Sequence, residues 1–164
     1  MTQRIAVATC TAWPELDDDG PELLAALAAE GFDVDVLAWD SDTDWAAYEL
    51  VVIRTTWDYW DRHEEYLAWT RRVPRLANHP DVVAWNTDKS YLRKLEAAGI
   101  PIVPTTWIEP GEPFAAPQHA FAVKPSVSAG ARETAAHAAG DESAGPPVAD
   151  LHAQGNSVLV QPHP

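Results

Sequence analysis

The sequence predicts an α/β fold: a parallel sheet with helices in the first half, followed by a smaller part built from short strands. Up to about residue 80, apolar runs rich in β-branched residues alternate with helical segments, which is typical of repeated β-α units. Beyond about residue 85, short strand-like runs are separated by loops rich in Gly, Pro and Ser, which favours antiparallel pairing. The hydrophobic fraction of 46% is sufficient for a buried core.

The first half contains two predicted helices. One begins at Asp19-Gly-Pro21, because Pro is favoured in a first helical turn, and it ends at Gly31. The other runs from His63 to Val73, where the apolar residues recur at helical spacing. The predicted strands of this half are residues 4–9, 33–38, 49–53 and 81–85.

The second half has one predicted helix, which is capped by Thr87 or Asp88 and ended by Gly99. A polar stretch at residues 138–147 is predicted to be a loop. We place the domain boundary within residues 79–88 and expect two domains, residues 1–84 and 85–164. The predicted strands of this half are residues 105–108, 121–124, 133–137 and 156–161.

Composition excludes several classes of function. The net charge of −14 would repel a phosphate backbone, so we expect no nucleic-acid partner. No apolar run approaches the ~20 residues of a membrane span, and the N-terminus lacks the pattern of a signal peptide. The single cysteine, Cys10, cannot form an internal disulfide. These features predict a cytoplasmic protein that does not bind a membrane.

Common cofactor and catalytic motifs are absent from the sequence. No G-x-G-x-x-G follows the first strand, and neither a Walker A motif nor H-E-x-x-H occurs. The six histidines are scattered without metal-ligand spacing, so we expect no metal site. Cys10 ends a predicted strand, and we expect it to be a buried, inert thiol.

A small-residue loop after the strand Phe121–Lys124 is the strongest functional signal. Lys124 ends this apolar strand, and Ser126, Ser128 and Gly130 follow. Small side chains let backbone N–H groups approach phosphate oxygens, hydroxyls donate further hydrogen bonds, and the lysine adds a positive charge. A mobile surface loop would have the same composition, and that alternative stays open.

A second lysine, Lys89, lies near the start of the predicted helix in the second half. A helix N-terminus also favours anions, so Lys89 and Lys124 together indicate a site for a small phosphate ligand. A solvated surface charge is the alternative for each lysine.

The segment Arg54-Thr-Thr-Trp-Asp-Tyr59 follows the third strand, at the end where α/β sheets place ligands. We expect Arg54, Thr55 and Asp58 to bind substrate, with the planar guanidinium of Arg54 pairing with a carboxylate. The alternative is a structural arginine bonded to an Asp or to loop carbonyls. Trp13, Trp57 and Trp60 would either line this crevice or pack in the core.

Taken in order, five segments resemble the nucleotide-binding N-lobe of the ATP-grasp superfamily, and in particular the carboxylate–amine ligases related to glutathione synthetase and D-alanine–D-alanine ligase. Residues 1–80 resemble the Rossmann-like substrate domain that precedes this lobe. The matching segments are Trp85-Asn-Thr-Asp-Lys89, Ala98-Gly-Ile-Pro101, Val103-Pro-Thr-Thr106, Val123-Lys-Pro-Ser-Val-Ser-Ala-Gly130 and Val158-Leu-Val-Gln-Pro162.

The resemblance implies an ATP- and Mg²⁺-dependent ligase that converts a small-molecule carboxylate into an acyl-phosphate for attack by an amine or similar nucleophile. It implies that Lys89 and Lys124 contact ATP phosphates and that the loop from Ser126 to Arg132, including Ser128 and Gly130, closes over them. It also assigns the adenine-contacting hinge, which comprises Gln161, Pro162 and His163.

The family's second lobe, which carries the metal ligands and further catalytic residues, has no counterpart in these 164 residues. We therefore expect an N-terminal fragment that binds nucleotide without turnover; a genuinely short protein and a chain completed by a partner are the alternatives. An exposed strand edge would favour homo-oligomers. Pro164, which has no N–H, lies where the family hinge offers a donor to adenine.

Two other functions are compatible with the sequence. The first is a non-catalytic Rossmann-like binding or interaction module in which Lys89 and Lys124 are ordinary surface charges. The second is a flavodoxin-like domain followed by a disordered tail.

Overall fold

The computed structural model describes residues 3–163, so the expectation about Pro164 lies outside the described residues. The chain divides into two compact units between Trp85 and Asn86, and each unit contains its own sheet. No helix of the described residues is long and apolar enough to cross a bilayer.

The first unit is a parallel four-stranded sheet in the order β2-β1-β3-β4. Helices connect its strands, as expected for β-α units. Its strands are β1 (Arg4–Thr9), β2 (Asp33–Ala38), β3 (Leu50–Thr55) and β4 (Leu76–Ala77), and its helices are α1 (Gly20–Ala29), α2 (His63–Arg72) and the start of α3 (Pro80–Thr87). A short 3₁₀ turn lies at Trp45–Ala47.

An aromatic cluster forms the core of this unit on the α2 side of the sheet. Trp69 is fully buried, and its ring lies 5.5 Å from those of both Tyr66 and Trp45. Trp39 contacts Tyr66 edge to face at 5.3 Å. Edge-to-face aromatic pairs add to the stabilisation from burial, so this cluster fixes α2 against the strands.

The fourth strand was predicted at the wrong place. Residues 81–85 lie in α3, and the fourth strand is the short β4 that precedes them. Pro80 begins the helix and Asp81 lies in its first turn, where a carboxylate is favoured by the helix dipole. Val83 and Thr87 are buried, and Pro80 and Ala84 are partly buried, whereas residues 81, 82, 85 and 86 are exposed, which is the spacing of a one-sided helix.

The second unit is an antiparallel four-stranded sheet in the order β5-β8-β6-β7. The antiparallel pairing agrees with the prediction from short strands and Gly/Pro/Ser loops. Its elements are α4 (Tyr91–Ala97), β5 (Thr106–Ile108), β6 (Phe121–Pro125), β7 (Ala135–His137), a 3₁₀ turn at Glu142–Ala144, α5 (Gly145–Ala153) and β8 (Val158–Pro162).

Helix α5 was missed, because residues 138–147 were predicted to be a loop. Two prolines occupy the first turn of α5, where their missing N–H groups cost nothing. Val148 and Leu151 of this helix are buried against the sheet core that contains Phe121 and Val123. The sequence offers little sign of this helix, because polar residues precede it and only Val148 and Leu151 form its buried apolar face.

The start of α4 also differs from the prediction. Its N-cap is Ser90, which makes no side-chain capping bond, and Thr87 belongs to α3. The Asp88 carboxylate accepts a 2.8 Å hydrogen bond from the Ser90 N–H. Asp88 therefore binds the turn that precedes α4 instead of capping the helix itself.

Candidate functional site

Lys89 lies against the loop that follows β6. Its Nζ is 2.7 Å from Ser128 Oγ and 3.3–3.4 Å from the carbonyl oxygens of Pro125, Ser126 and Ser128. The backbone agrees with this placement, because the Lys89 N–H donates to the Ser126 carbonyl at 2.9 Å. The loop and the lysine predicted to act together are therefore in direct contact.

The electrostatic environment of Lys89 is unusual for a lysine. Burial of the ammonium group lowers its pKa, and the positive charge of Lys124 acts in the same direction, whereas Asp88 opposes the shift. The hydrogen-bond partners of Lys89 Nζ given above are all neutral oxygens, so its charge is solvated by dipoles.

Lys124 lies on β6, and its Nζ donates a 2.9 Å hydrogen bond to Gln161 Oε1 on β8. Strand register explains the contact. Ala122 pairs with Gln161, and Lys124 is two residues along from Ala122, so Lys124 and Gln161 share one face of the sheet. The Gln161 amide then donates to Thr105 Oγ1 at 2.9 Å.

Thr105 is a residue that the sequence reasoning missed. It was treated as the start of a strand, but it anchors the buried Gln161 amide and thereby the acceptor of Lys124. A hydroxyl residue directly before a short strand is the only sequence signal for this role.

The loop between β6 and β7 is shaped by its backbone. Gly130, Ala131 and Glu133 all have positive φ, between 53° and 60°, a conformation that is uncommon outside glycine. Ser126 is buried, and its N–H donates to the Ser157 carbonyl at 2.8 Å. The loop is therefore anchored at its first residue and tightly turned further along.

The three residues predicted to form a hinge lie at the C-terminal end of β8 and directly after it. Gln161 and Pro162 belong to β8, where Pro162 pairs with Phe121. The His163 N–H donates to the Ala120 carbonyl at 2.9 Å, so this donor takes part in sheet pairing.

In the first unit, Arg54 is a structurally paired arginine. Its Nη2 lies 3.0 Å from Asp17 Oδ2 and 3.6 Å from Asp19 Oδ2. Thr55 is fully buried, with its hydroxyl 2.5 Å from that of Thr9. Arg54 is thus bonded to an aspartate of the protein itself, as the alternative interpretation of a structural arginine described.

The other residues predicted to lie near Arg54 contact different partners. Asp58 accepts a 2.8 Å hydrogen bond from Trp39 Nε1. Trp13 and Trp57 contact each other edge to face, with ring centroids 5.1 Å apart, and both are exposed. Trp60 is half-buried. Cys10 is buried, as predicted.

The chain has the fold of the N-terminal part of an ATP-grasp ligase, which confirms the resemblance indicated by the sequence. The structure of D-alanine–D-alanine ligase from Bacillus anthracis complexed with ATP matches 99% of this chain and 59% of that chain, with a TM-score of 0.65 and 14% identity. That likeness concerns the fold alone.

The chain is similar in sequence as well as in fold to the N-terminal part of D-cycloserine synthetase DcsG. Residues 5–78 match the family described as "D-cycloserine synthetase DcsG, N-terminal domain". The cycloserine biosynthesis protein DcsG of Streptomyces lavendulae is 34% identical to this chain. The alignment has a length of 174 residues including gaps and covers 97% of this chain. The crystal structure of D-cycloserine synthetase DcsG matches 98% of the chain with a TM-score of 0.85 and 31% identity. The chain spans 58% of the length of the S. lavendulae protein and 59% of the crystallised chain.

Proposed function

We propose that the second unit binds the phosphates of ATP through Lys89, Lys124 and the β6–β7 loop. One observation carries this proposal: the ammonium groups of Lys89 and Lys124 both lie in the second unit, and the hydrogen-bond partners found for both are neutral oxygens. Such a pair is stabilised by an anion that lies across both charges.

The residues present fit a triphosphate. Lys89 Nζ contacts Ser128 Oγ, so a phosphate oxygen that replaced this hydroxyl would meet the lysine and the small-residue loop together. Gln161 accepts a hydrogen bond from Lys124 and donates one to Thr105, and these two bonds hold Lys124 in place. Catalysis of phosphoryl transfer depends mainly on positioning and charge neutralisation, which is what these residues supply.

The described residues offer no comparable set of side chains for Mg²⁺. The part of the chain that the structure describes has no group of three His, Cys, Asp or Glu side chains that could hold a metal ion. We therefore assign no residue of this chain to a metal, and no step of the proposal depends on one.

For the complete protein we propose an ATP-dependent ligase that activates a small-molecule carboxylate as an acyl-phosphate for attack by an amine or similar nucleophile. The homology to D-cycloserine synthetase supports a small-molecule substrate. Arg54, Thr55 and Asp58 remain proposed substrate-binding residues only through their position at the carboxyl end of β3 and in the loop after it. Binding of nucleotide without turnover by this chain, a tendency to form homo-oligomers and a cytoplasmic location are also proposals.

Calorimetric titration of the 164-residue chain with ATP tests the nucleotide site. Lys89→Met and Lys124→Met should each weaken ATP binding by roughly 10- to 100-fold, the loss expected for one hydrogen bond to a charged group. Lys94→Met is the matched control, because this exposed lysine of α4 lies outside the proposed site.

Unchanged ATP affinity in the Lys89→Met/Lys124→Met double variant would reject the nucleotide site and favour a non-catalytic binding module. ATP-dependent phosphate release by this chain at ~1 s⁻¹ or faster would contradict the expectation that it binds nucleotide without turnover.

A further inference from the structure

A directional chain of three hydrogen bonds crosses the second sheet and ends at Lys124. The Thr105 hydroxyl donates to the Val103 carbonyl at 2.8 Å, and Thr105 Oγ1 accepts from the Gln161 amide nitrogen at 2.9 Å. The Gln161 oxygen then accepts from Lys124 Nζ at 2.9 Å. Thr105 directly precedes β5, and the strand of Gln161, β8, lies between β5 and the strand of Lys124, β6. We refer to these three bonds as the Thr105 relay.

The Val103 carbonyl sets the direction of the relay. A side-chain amide fits either way round, with its oxygen or its NH₂ group towards a given neighbour, so its partners decide the orientation. A carbonyl only accepts, and the Thr105 hydroxyl therefore uses its single proton on Val103 and accepts from the Gln161 NH₂ group. The Gln161 oxygen is thereby turned towards Lys124, which is a donor only.

The relay begins in a stiff segment of the backbone. Val103 precedes Pro104, and a residue before proline is restricted to extended conformations. Proline itself has a nearly fixed φ. The carbonyl to which Thr105 donates therefore has little freedom. At the other side of Thr105, Gln161 is only 7% exposed, so its amide has little access to water as an alternative partner.

The acceptor that the relay offers to Lys124 is uncharged. A carboxylate at this place would pair with the ammonium group and offset its charge, whereas an amide oxygen orients the group and leaves the charge available. The ammonium group has three protons, so two remain for a ligand. The long lysine side chain has several rotatable bonds, and fixing its end beforehand reduces the entropy lost on binding.

We infer that Thr105 is a positioning residue of the nucleotide site: through the Gln161 amide, it holds the ammonium group of Lys124 in the orientation that binds phosphate oxygens. Thr105 acts without touching the nucleotide. The identity of the ligand rests on the proposed function, whereas the effect of Thr105 on Lys124 is a property of the free chain and is measured without ATP.

Thr105→Val is the first test, because valine has nearly the same shape and lacks the hydroxyl. The Gln161 amide then loses the partner that sets its orientation. In calorimetric titrations of the 164-residue chain, ATP affinity should fall about threefold to tenfold, the loss expected for one uncharged hydrogen bond. Thr105→Ser keeps the hydroxyl and should restore most of the affinity. Thr106→Val is the matched control, because this neighbouring threonine is exposed and takes no part in the relay.

Two further measurements test whether Thr105 acts through Lys124. In a Lys124→Met background, Thr105→Val should cause no further loss of ATP affinity. The chain contains three lysines, Lys89, Lys94 and Lys124. Their ¹Hε–¹³Cε signals in spectra of the free chain are assigned with the three Lys→Met variants. Thr105→Val should shift the Lys124 signals and leave those of Lys94 in place, and Thr105→Ala repeats the measurement should Thr105→Val fail to fold.

The outcomes separate this inference from the proposed function. Unchanged ATP affinity in Thr105→Val, in a chain whose ATP binding is weakened by Lys124→Met, would overturn the inference and leave the nucleotide site intact. Equal losses from Thr105→Val with and without Lys124 would also overturn it, as would Lys124 signals that stay in place in the Thr105 variants. Failure of the unmodified chain to bind ATP would instead reject the proposed function, and the inference with it.

Discussion

The ammonium group of Lys124 donates a 2.9 Å hydrogen bond to the side-chain oxygen of Gln161, one diagonal step away on the neighbouring strand. The Gln161 side chain is buried, and its amide nitrogen is taken up by Thr105. Because both ends of the Gln161 amide are engaged, its oxygen is held towards the lysine. This pair locates a positive charge on the face of the second sheet opposite to that of Val123 and Val160, with little rotamer freedom.

Gln161→Leu should destabilise the protein by roughly 1–3 kcal/mol, because it removes the acceptor of a partly buried ammonium group and leaves the Thr105 hydroxyl without its donor. Urea unfolding followed by tryptophan fluorescence measures the change. Gln118→Leu, at an exposed glutamine, is the control and should change stability little. Equal stability of the Gln161→Leu variant and the unmodified chain would show that this network contributes nothing.

The pH dependence of stability should reveal the partly buried charge of Lys89. Burial lowers its pKa in the folded state, so the unfolded chain binds more protons once the pH exceeds the lowered value. The cost of burying the charge is complete at lower pH, and it is relieved as the pH rises through the folded pKa towards the unfolded one. The unmodified chain should therefore gain stability relative to Lys89→Met as the pH approaches the ordinary lysine pKa of about 10.4.

Unfolding free energies of the unmodified chain and Lys89→Met, measured over a series of buffers from neutral pH upward, test this expectation. Lys94→Met serves as the reference, since Lys94 is exposed. A difference between the unmodified chain and Lys89→Met that stays constant over the whole series would contradict a buried ammonium group.

Asp141 should contribute stability that is lost in acid. Hydrogen bonds from Ser143 and from His137 lower the pKa of its carboxyl to about 2, below the ordinary value of 3.8. For a depressed carboxyl pKa, the stabilisation is present above the unfolded pKa and disappears as the pH falls through the folded one. Asp141→Asn should therefore be less stable than the unmodified chain near neutral pH, and the gap should close between about pH 4 and pH 2.

Chemical unfolding at several pH values in this range measures the gap for Asp141→Asn. Asp150→Asn, at an exposed aspartate of the same unit, is the matched control. The role assigned to Asp141 is wrong should its gap to the unmodified chain fail to change with pH.

Gly20 and Gly145 offer a contrast in steric room. Gly20→Ala should destabilise the first unit by roughly 1–3 kcal/mol, because its Cβ would lie 2.6 Å from the Cβ of the buried residue Leu16. Gly145→Ala should be tolerated, since the nearest atom, on Phe114, is 3.8 Å away and the backbone is helical. Thermal unfolding of the two variants decides the comparison; equal losses would mean that the loop at Leu16 adjusts freely.

The fold class was predictable because it depends on local patterns. The alternation of apolar strands and helices up to α2 and the short strands bounded by Gly and Pro each leave a signal within ten or so residues. Residues 81–85 were misassigned because a short apolar run suits either a strand or a one-sided helix, and helix α5 was missed because polar residues that resemble a loop precede its two buried apolar residues. Packing against the rest of the unit decides between these structures.

The candidate site was likewise predictable only in part from the sequence. Residue type and order alone indicated that Lys89, Lys124 and the loop after β6 belong together, since lysines beside small residues suit a phosphate. Strand register and loop folding decided which atoms meet, including the contacts of Gln161 with Lys124 and Thr105 and the pairing of Arg54 with Asp17. These partners are 37 to 56 residues apart in the chain, and only the tertiary structure brings residues at such separations into contact.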